Sequence, residues 1–120
     1  MKRKIKVALV GSNFALKGYF PVINKFNELE LKILCSRKIL KLKNTLKLPK
    51  YTILENNWKK IFKKKIDLVV CSVPPVIQEK ILIYNLKHKK KIIFEKPIST
   101  KYSKSKIIIK KILKKKLKVK

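Results

Sequence analysis

The sequence lacks most of the features that fix a protein to a membrane, a metal ion or a disulfide framework. No apolar run approaches the roughly 18 to 20 residues of a membrane span, and the stretch after Met1-Lys2-Arg3-Lys4 is too short for a secretory signal. We therefore expect a cytoplasmic protein with no membrane partner. Cys35 and Cys71 have neither a CxxC nor a metal-ligand spacing. Each ends a predicted buried strand, which indicates a reduced core residue, with a disulfide as the alternative.

Histidine is equally scarce. His88 is the only one, and it lies in Lys87-His88-Lys89-Lys90 at the end of a predicted helix. Among like charges at a helix end, it is expected to be exposed to solvent and not catalytic. The sequence holds no Ser/His/Asp arrangement and no cluster of metal ligands, so we expect no metal site.

Acidic residues number six against 34 basic ones, which gives a net charge of +28. Such a charge is typical of proteins that bind nucleic acid or an anionic surface. Only Arg3 and Arg37 are arginine, however, and proteins that grip phosphates generally exploit the bidentate guanidinium group. We expect weak, salt-sensitive binding to polyanions. A basic nucleic-acid-binding module stays as the alternative function.

What the sequence does contain is a regular alternation of short apolar runs and helical patterns. Continuous apolar runs suit buried parallel strands, and they recur at residues 5–10, 30–35, 51–54, 67–72 and 91–95. Helical patterns fall between them at residues 14–27, 38–47, 76–88 and 98–116, and Asn56 or Asn57 can cap another helix. The segment 98–116 is predicted to be a basic amphipathic helix. The alternation predicts one α/β domain over residues 1–120, with a doubly wound parallel sheet of about five strands.

Pro21 falls inside the first helical pattern. A proline in the middle of a helix costs about 3 kcal/mol, whereas the first turn tolerates one. The helix is therefore expected to begin late or to kink at this residue.

The turn after the first strand is the first candidate for a binding site. A dinucleotide site needs small residues there, so that backbone N–H groups reach the pyrophosphate, and the candidates are Gly11, Ser12, Asn13, Phe14 and Ala15. Only Gly11 fits the G-x-G-x-x-G pattern, because Asn13 and Leu16 occupy the other two glycine positions. A structural glycine turn is the alternative interpretation.

The end of the second strand is where a dinucleotide site distinguishes its cofactors. An acid there binds the ribose 2′-OH of NAD, while arginine accepts the 2′-phosphate of NADP. The sequence has Ser36-Arg37 and no acid nearby along the chain, which favours NADP over NAD. The alternative is that Arg37 is a surface cation at the start of the next helix.

Two further segments follow predicted strands, Ser72-Val73-Pro74-Pro75 and Glu95-Lys96-Pro97. The carboxyl ends of parallel strands are where an open α/β sheet places its reacting groups. Proline cannot continue a strand ladder, so Pro74 is expected to turn the chain out over the cofactor edge. Lys96 is the candidate reacting group, although a solvated lysine is a serious alternative in a chain so rich in lysine.

These segments, in this order and spacing, resemble the nucleotide-binding half of the Gfo/Idh/MocA family of NAD(P)-dependent sugar and polyol oxidoreductases. The resemblance runs from Ile5 to about Lys116 and implies a Rossmann-like sheet in the order 3-2-1-4-5. It implies that Ser72, Val73, Pro74, Gln78, Glu95 and Lys96 lie at the cofactor, with Lys96 catalytic beside the nicotinamide and the reacting hydroxyl. Tyr19 and Gln78 stand where the family usually has histidine, and Pro97 would fix its turn through a cis peptide.

Members of that family also have a second α/β domain that supplies most substrate contacts and the usual acid/base histidine. Nothing in this sequence corresponds to it, so the substrate domain is expected to be absent. The chain is then a fragment, a degraded gene product or a module whose other half is separate. We expect it to bind NADP or NAD without turnover alone. A sugar-like substrate would bind only with a second domain supplied, and a non-catalytic nucleotide-binding remnant is a further alternative.

Overall fold

Five strands form one parallel sheet in the computed structural model, which describes residues 3–11, 15–38 and 47–114. They are β1 (Ile5–Gly11), β2 (Leu29–Cys35), β3 (Ile53–Glu55), β4 (Leu68–Ser72) and β5 (Lys91–Phe94). Their order is β3-β2-β1-β4-β5, and every neighbouring pair is parallel. The predicted strand order is confirmed. Strand order reverses between β1 and β4, the point at which open α/β sheets form a ligand crevice.

Helices connect the strands across both faces of the sheet. A π-helical turn (Ala15–Tyr19) leads into α1 (Phe20–Lys25), and a 3₁₀ helix (Trp58–Lys63) precedes β4. The two longest helices are α2 (Pro75–His88) and α3 (Tyr102–Lys114). Pro21 occupies the first turn of α1, so the expectation of a late-starting helix is confirmed. No helix in the described ranges is long and apolar enough to cross a membrane.

The core has two layers, one on each face of the sheet. Alternate residues of a strand face opposite sides. Val7 and Leu9 pack with Ile23 of α1 on one face, and Ala8 and Val10 pack with α2, α3 and the 3₁₀ helix on the other. Both faces of β1 are therefore covered, which explains why its sequence reads as a continuous apolar run.

Several predicted boundaries differ from the structure. The predicted helix at 98–116 begins instead at Tyr102, because residues 98–101 form a bent segment in which buried Ser99 donates its hydroxyl to the carbonyl of Lys101. Only Ile108 and Ile112 of its apolar stripe are buried, whereas Ile107 and Leu113 are exposed. Of the predicted helix at 38–47, residues 39–46 lie outside the described ranges.

The prediction that His88 is exposed was wrong. Its ring is partly buried and stacks on Tyr84, with ring centroids 4.7 Å apart. His88 lies one helical turn after Tyr84 in α2, and side chains four residues apart share a helix face. The neighbouring lysines in the sequence therefore do not predict how exposed the His88 ring is.

Candidate functional site

A cavity of about 580 Å³ lies over the carboxyl ends of the strands. Its wall includes residues at the ends of β1, β2 and β4 and in the loop after β5. Its volume is typical of small-molecule sites. Seven of the residues predicted for the cofactor line its wall: Gly11, Ser36, Arg37, Ser72, Val73, Pro74 and Glu95. The fold therefore brings together side chains that lie up to 84 positions apart along the chain.

Gly11 ends β1 and pairs with Ser72 at the end of β4. Its φ is +135°, and a Cβ built on it would lie 2.1 Å from the carbonyl oxygen of Ser72. No other residue type fits this position without moving the backbone. Ala15 was predicted to bind the cofactor, but it is fully buried beneath Gly11 and packs in the core with Val7. Ser12, Asn13 and Phe14, the rest of the predicted turn, lie outside the described residues.

Ser36 and Arg37 follow β2 at the edge of the cavity. The Ser36 hydroxyl accepts a hydrogen bond from the backbone N–H of Lys38 at 3.1 Å, so this side chain shapes the turn from a nearly buried position. Arg37 is exposed and lines the cavity. Lys38 lines it as well, which gives this corner two cations.

The strand beside β2 ends in an acid. Glu55 ends β3 and pairs with Cys35 in the sheet, and its Oε1 accepts the backbone N–H groups of Asn56 at 3.0 Å and Asn57 at 3.2 Å. Burial, and secondarily the charge of Glu55, raises the pKa of the Cys35 thiol to about 12. Cys71 is also buried with its pKa raised to about 12, chiefly by burial. Both cysteines are free, as predicted.

Pro74 and Pro75 end β4 and start α2. Pro74 precedes the first helical residue and Pro75 occupies the first turn, where the missing N–H has no partner to lose. Val73, Pro74 and Ile77 give the cavity an apolar wall at this side. The prediction that proline turns the chain out at this edge agrees with the geometry.

Gln78 was predicted to contact the cofactor, and the structure gives its side chain a different place. It is 1% exposed, and its Nε2 donates to the carbonyl oxygens of Glu95 at 2.6 Å, Pro97 at 3.0 Å and Ile98 at 3.3 Å. Its Oε1 accepts the backbone N–H of Glu95 at 3.0 Å. Both ends of the amide are used, so Gln78 holds the loop after β5 from beneath and does not line the cavity.

The loop after β5 is held from a second side by Tyr19. The Tyr19 hydroxyl donates a hydrogen bond to Oε1 of Glu95, and Glu95 lines the cavity. Burial, with this bond and the Glu95 charge, raises the pKa of Tyr19 to about 12. The Lys96–Pro97 peptide is cis, as the resemblance implied. Lys96 itself is exposed on this loop and is not part of the cavity wall.

Seven lining residues were not predicted for the site, and three of them, Asn56, Asn57 and Trp58, are consecutive in the chain. They follow β3, and the sequence identified them only as the start of a helix. The Asn57 side chain does cap that helix, since its Oδ1 accepts the N–H of Lys59 at 3.1 Å. Their place at the cavity could have been inferred from the position of β3 in the sheet. No group of three or more His, Cys, Asp or Glu side chains suited to a metal ion occurs among the described residues.

Comparison with known proteins gives one family and many similar folds. The model of the Gfo/Idh/MocA oxidoreductase family, for its NAD-binding Rossmann fold, matches residues 5–120. No curated protein matches the sequence.

Among solved structures, the WlbA dehydrogenase from Chromobacterium violaceum, in complex with NADH and UDP-GlcNAcA, is 21% identical with a TM-score of 0.83. The WlbA dehydrogenase from Bordetella pertussis, with the same two ligands, is 17% identical with a TM-score of 0.80. A 3-ketoreductase mutant from Actinomadura kijaniata, in complex with TDP-benzene and NADP, is 16% identical with a TM-score of 0.76.

The alignments cover 98%, 98% and 96% of this chain but only 34%, 36% and 37% of those structures. The chain therefore spans about a third of their length. At these identities the solved structures establish a shared fold.

Proposed function

Because the chain belongs to the Gfo/Idh/MocA oxidoreductase family, matched by its NAD-binding Rossmann domain, we propose that it binds the nucleotide of an enzyme acting on a sugar-like or polyol substrate. The reaction is transfer of hydride between that substrate and NAD(P). The observation that carries the proposal is the cavity at the strand-order reversal, where Gly11, Arg37 and Glu95 meet. A bound nicotinamide supplies or accepts the hydride.

The residues of the cavity fit a dinucleotide. Gly11 ends β1 at the edge of the cavity, the place at which this type of sheet receives a pyrophosphate, and the charge of a pyrophosphate suits a region with few acids. Glu95 lies at the other end of the cavity wall, on the loop predicted for the nicotinamide side. Its carboxylate is held by Tyr19, so it offers a fixed acceptor for a ribose hydroxyl.

NADP is the favoured cofactor. Arg37 is exposed and lines the cavity with Lys38, and a guanidinium binds a phosphate through two parallel hydrogen bonds. Glu55, at the end of the neighbouring strand β3, already accepts two backbone N–H groups through one carboxylate oxygen. It is less available to a ribose 2′-OH than a free carboxylate would be. Of the three solved structures compared above, two hold NADH and one holds NADP.

Lys96 is proposed as the catalytic residue. It follows Glu95 on a loop whose backbone is fixed by four hydrogen bonds to Gln78. Its ammonium group can donate a hydrogen bond to the substrate oxygen and move that oxygen's proton as hydride leaves or arrives. Its exposed position suits a group that meets a substrate held by a second domain.

The substrate is proposed to be sugar-like, as in the two WlbA complexes with UDP-GlcNAcA. Since the chain spans about a third of those structures, most substrate contacts must come from a second domain. Alone, the chain is expected to bind nucleotide and not to turn over.

The basic nucleic-acid-binding alternative predicts lysines gathered on one face. In the described part of the chain, the helical elements that cover the two faces of the sheet carry unequal numbers of lysines. Two lie on the π-helical turn and α1 (Lys17 and Lys25), and ten lie on the elements that cover the opposite face (Lys59, Lys60, Lys63, Lys80, Lys87, Lys104, Lys106, Lys110, Lys111 and Lys114). This distribution favours one basic face, so nucleic-acid binding stays as the second candidate function.

A competition experiment separates the proposed site from general polyanion binding. NADPH binding is followed by the fluorescence of the reduced nucleotide at about 0.3 M salt, where the Debye length falls to roughly 6 Å. We expect saturable binding that an excess of inorganic polyphosphate does not displace. Displacement in proportion to added polyphosphate charge would contradict the proposal.

A further inference from the structure

The outer face of α2 carries one stripe of exposed side chains. Its members are Val76, Lys80, Ile83 and Lys87, and because they are three or four residues apart, they share one face of the helix. Val76 is 51% exposed and Ile83 is 47% exposed. The stripe therefore alternates aliphatic and basic side chains, and about half of each aliphatic residue stays in contact with water.

A second stripe of the same kind lies on α3. Lys104, Ile107, Lys111 and Lys114 are exposed and again three or four residues apart, with Ile107 at 53%. The two stripes are neighbours, because the Lys104 ammonium binds the Glu79 carboxylate of α2 at 3.2 Å. We call the residues of the two stripes the α2–α3 surface. None of them lines the cavity at the ends of the strands.

Positive charge and exposed apolar groups are both concentrated on these two helices. α2 and α3 contain seven lysines and one acid, Glu79, which is already paired with Lys104. Of the nine large hydrophobic residues that are exposed in the described part of the chain, five lie on α2 and α3: Val76, Ile83, Tyr102, Ile107 and Leu113. A ligand that fits this surface is therefore anionic and also offers an apolar region.

An anionic lipid bilayer meets both requirements. A cluster of lysines is attracted to an anionic leaflet through its net charge, with no need for the bidentate geometry of arginine. Aliphatic side chains between the lysines enter the boundary between headgroups and acyl chains. The lysine stems lie along that apolar layer and keep their ammonium groups at the headgroups.

Other ligands fit the surface less well. It has neither an arginine nor an aromatic residue, whereas nucleic acids are bound through arginine and through bases stacked on aromatic rings. The cores of protein interfaces are poor in lysine and rich in tryptophan, tyrosine and arginine. A second copy of the chain would bring the same positive charge against this surface.

We propose that the α2–α3 surface binds the face of an anionic lipid bilayer, with Val76, Ile83 and Ile107 in the headgroup region and the lysines on the anionic headgroups. The proposal does not depend on the proposed function, because the cavity and this surface share no residue. The expectation of no membrane partner came from the lack of a spanning segment, and attachment to a bilayer surface does not need one.

Co-sedimentation of the purified chain with vesicles tests the role of charge. At about 0.15 M salt, we expect binding to phosphatidylcholine vesicles that contain about one third phosphatidylserine, and none to phosphatidylcholine alone. The variant Lys80→Gln/Lys111→Gln should bind about 25-fold more weakly, since each lysine near an anionic surface contributes about fivefold. The matched control is Lys17→Gln/Lys25→Gln, which should bind as the wild type does, because both lysines are exposed on the opposite face.

A second pair of variants tests the apolar contact at constant charge. Ile83→Gln/Ile107→Gln should bind the same vesicles about tenfold more weakly or less tightly still, because the two aliphatic side chains no longer leave water. Val22→Gln/Phe26→Gln is the control, since Val22 and Phe26 are also about half exposed but lie in and just after α1. Circular dichroism at the temperature of the assay checks that each variant is folded.

The outcomes separate lipid binding from binding by charge alone. Selective loss in both the lysine pair and the isoleucine pair, with both controls unchanged, supports the proposal. No binding of the wild type to the anionic vesicles overturns it, and so does equal weakening by the two lysine pairs. Polyuridylate binding is measured on the same variants. If the lysine pair weakens binding to both vesicles and polyuridylate while the isoleucine pair changes neither, the surface suits nucleic acid and the lipid assignment is overturned.

Discussion

The hydroxyl of Tyr19 donates a hydrogen bond to the carboxylate of Glu95 and so joins the turn before α1 to the loop after β5. The two residues lie 76 positions apart in the sequence. Tyr19 stands where the family usually has histidine, and a phenol retains the ability to donate to a carboxylate. The bond fixes a cavity-lining carboxylate in place before any ligand arrives.

The first prediction concerns the ionisation of Tyr19. Its pKa is raised from 10.0 to about 12, first by burial and then by the bond and charge of Glu95. A raised pKa means that the folded state favours the neutral phenol. The stabilisation is therefore complete below pH 10 and is lost as the pH rises through about 12. Tyrosinate absorbance should show one late-titrating group, which Tyr19→Phe removes and Tyr102→Phe, on the exposed side of α3, leaves in place. If the late-titrating part of the tyrosinate absorbance persisted in Tyr19→Phe, the assignment of the raised pKa to Tyr19 would be wrong.

The second prediction concerns thiol reactivity. Cys35 and Cys71 are buried, and their pKa values are raised from 9.0 to about 12. The thiolate is the reacting form. Neither cysteine should therefore react with a disulfide reagent until the chain unfolds, at a pH of about 8, which is just below the usual thiol pKa. Two thiols should then appear together on addition of urea. Their raised pKa values also add stability below pH 9 that is lost between pH 9 and about 12. Rapid labelling of the folded chain would contradict this prediction, because the reagent would then reach the thiols at the ends of β2 and β4.

The third prediction concerns Gly11. Gly11→Ala should lower the free energy of unfolding by at least about 2 kcal/mol, because the new Cβ meets the Ser72 carbonyl and φ stays positive. Gly18→Ala is the control, since Gly18 lies in the π-helical turn and alanine there is expected to be neutral or to stabilise by up to about 1 kcal/mol. Urea denaturation of both variants measures the difference. Equal stability of Gly11→Ala and the wild type would mean that β1 and β4 do not approach as described.

The fourth prediction concerns Gln78. Gln78→Leu leaves the buried Glu95 N–H and three loop carbonyls without their partner, and the expected loss of stability is about 3 kcal/mol. Hydrogen exchange at the Glu95 amide should accelerate more than exchange in β1, because the loop loosens before the sheet does. Lys80→Leu, on the exposed side of the same helix, should change stability by less than about 0.5 kcal/mol. Unaltered exchange at Glu95 would show that Gln78 does not hold the loop.

Much of the fold follows from the sequence because the signals are local. A continuous apolar run such as Leu68-Val69-Val70 predicts a buried parallel strand wherever it lies, and the resemblance to a known family supplied the strand order. Helix ends were harder to predict. The start of α3 depends on the conformation of residues 98–101, which continue the loop after β5. The apolar periodicity of 98–116 does not predict that conformation.

The site was predictable where a residue follows a strand and contributes through that position alone, as Gly11, Arg37 and Glu95 do. It was not predictable where a side chain acts across the fold. Gln78 was predicted to contact the cofactor because it stands where the resembling family usually has histidine, whereas both ends of its amide hydrogen-bond to the loop after β5, which only the tertiary structure brings next to it. Trp58 was read as part of a helix, and its place in the cavity follows from the position of β3 at the sheet edge.

The most direct test of the central claim is a calorimetric comparison of NADPH and NADH on the wild type, Arg37→Asp and Lys50→Asp, at about 0.3 M salt. Lys50 is exposed in the turn before β3, at the amino end of the parallel strands and not in the cavity wall, and its substitution changes the net charge by the same amount. We predict that NADPH binds the wild type saturably and more tightly than NADH. Arg37→Asp should weaken NADPH by about tenfold or more, the loss of a charge-assisted phosphate contact, and Lys50→Asp should bind as the wild type does. If neither nucleotide binds the folded chain, or if both substitutions weaken NADPH equally, the cavity is not a dinucleotide site and the charge of the chain accounts for its binding.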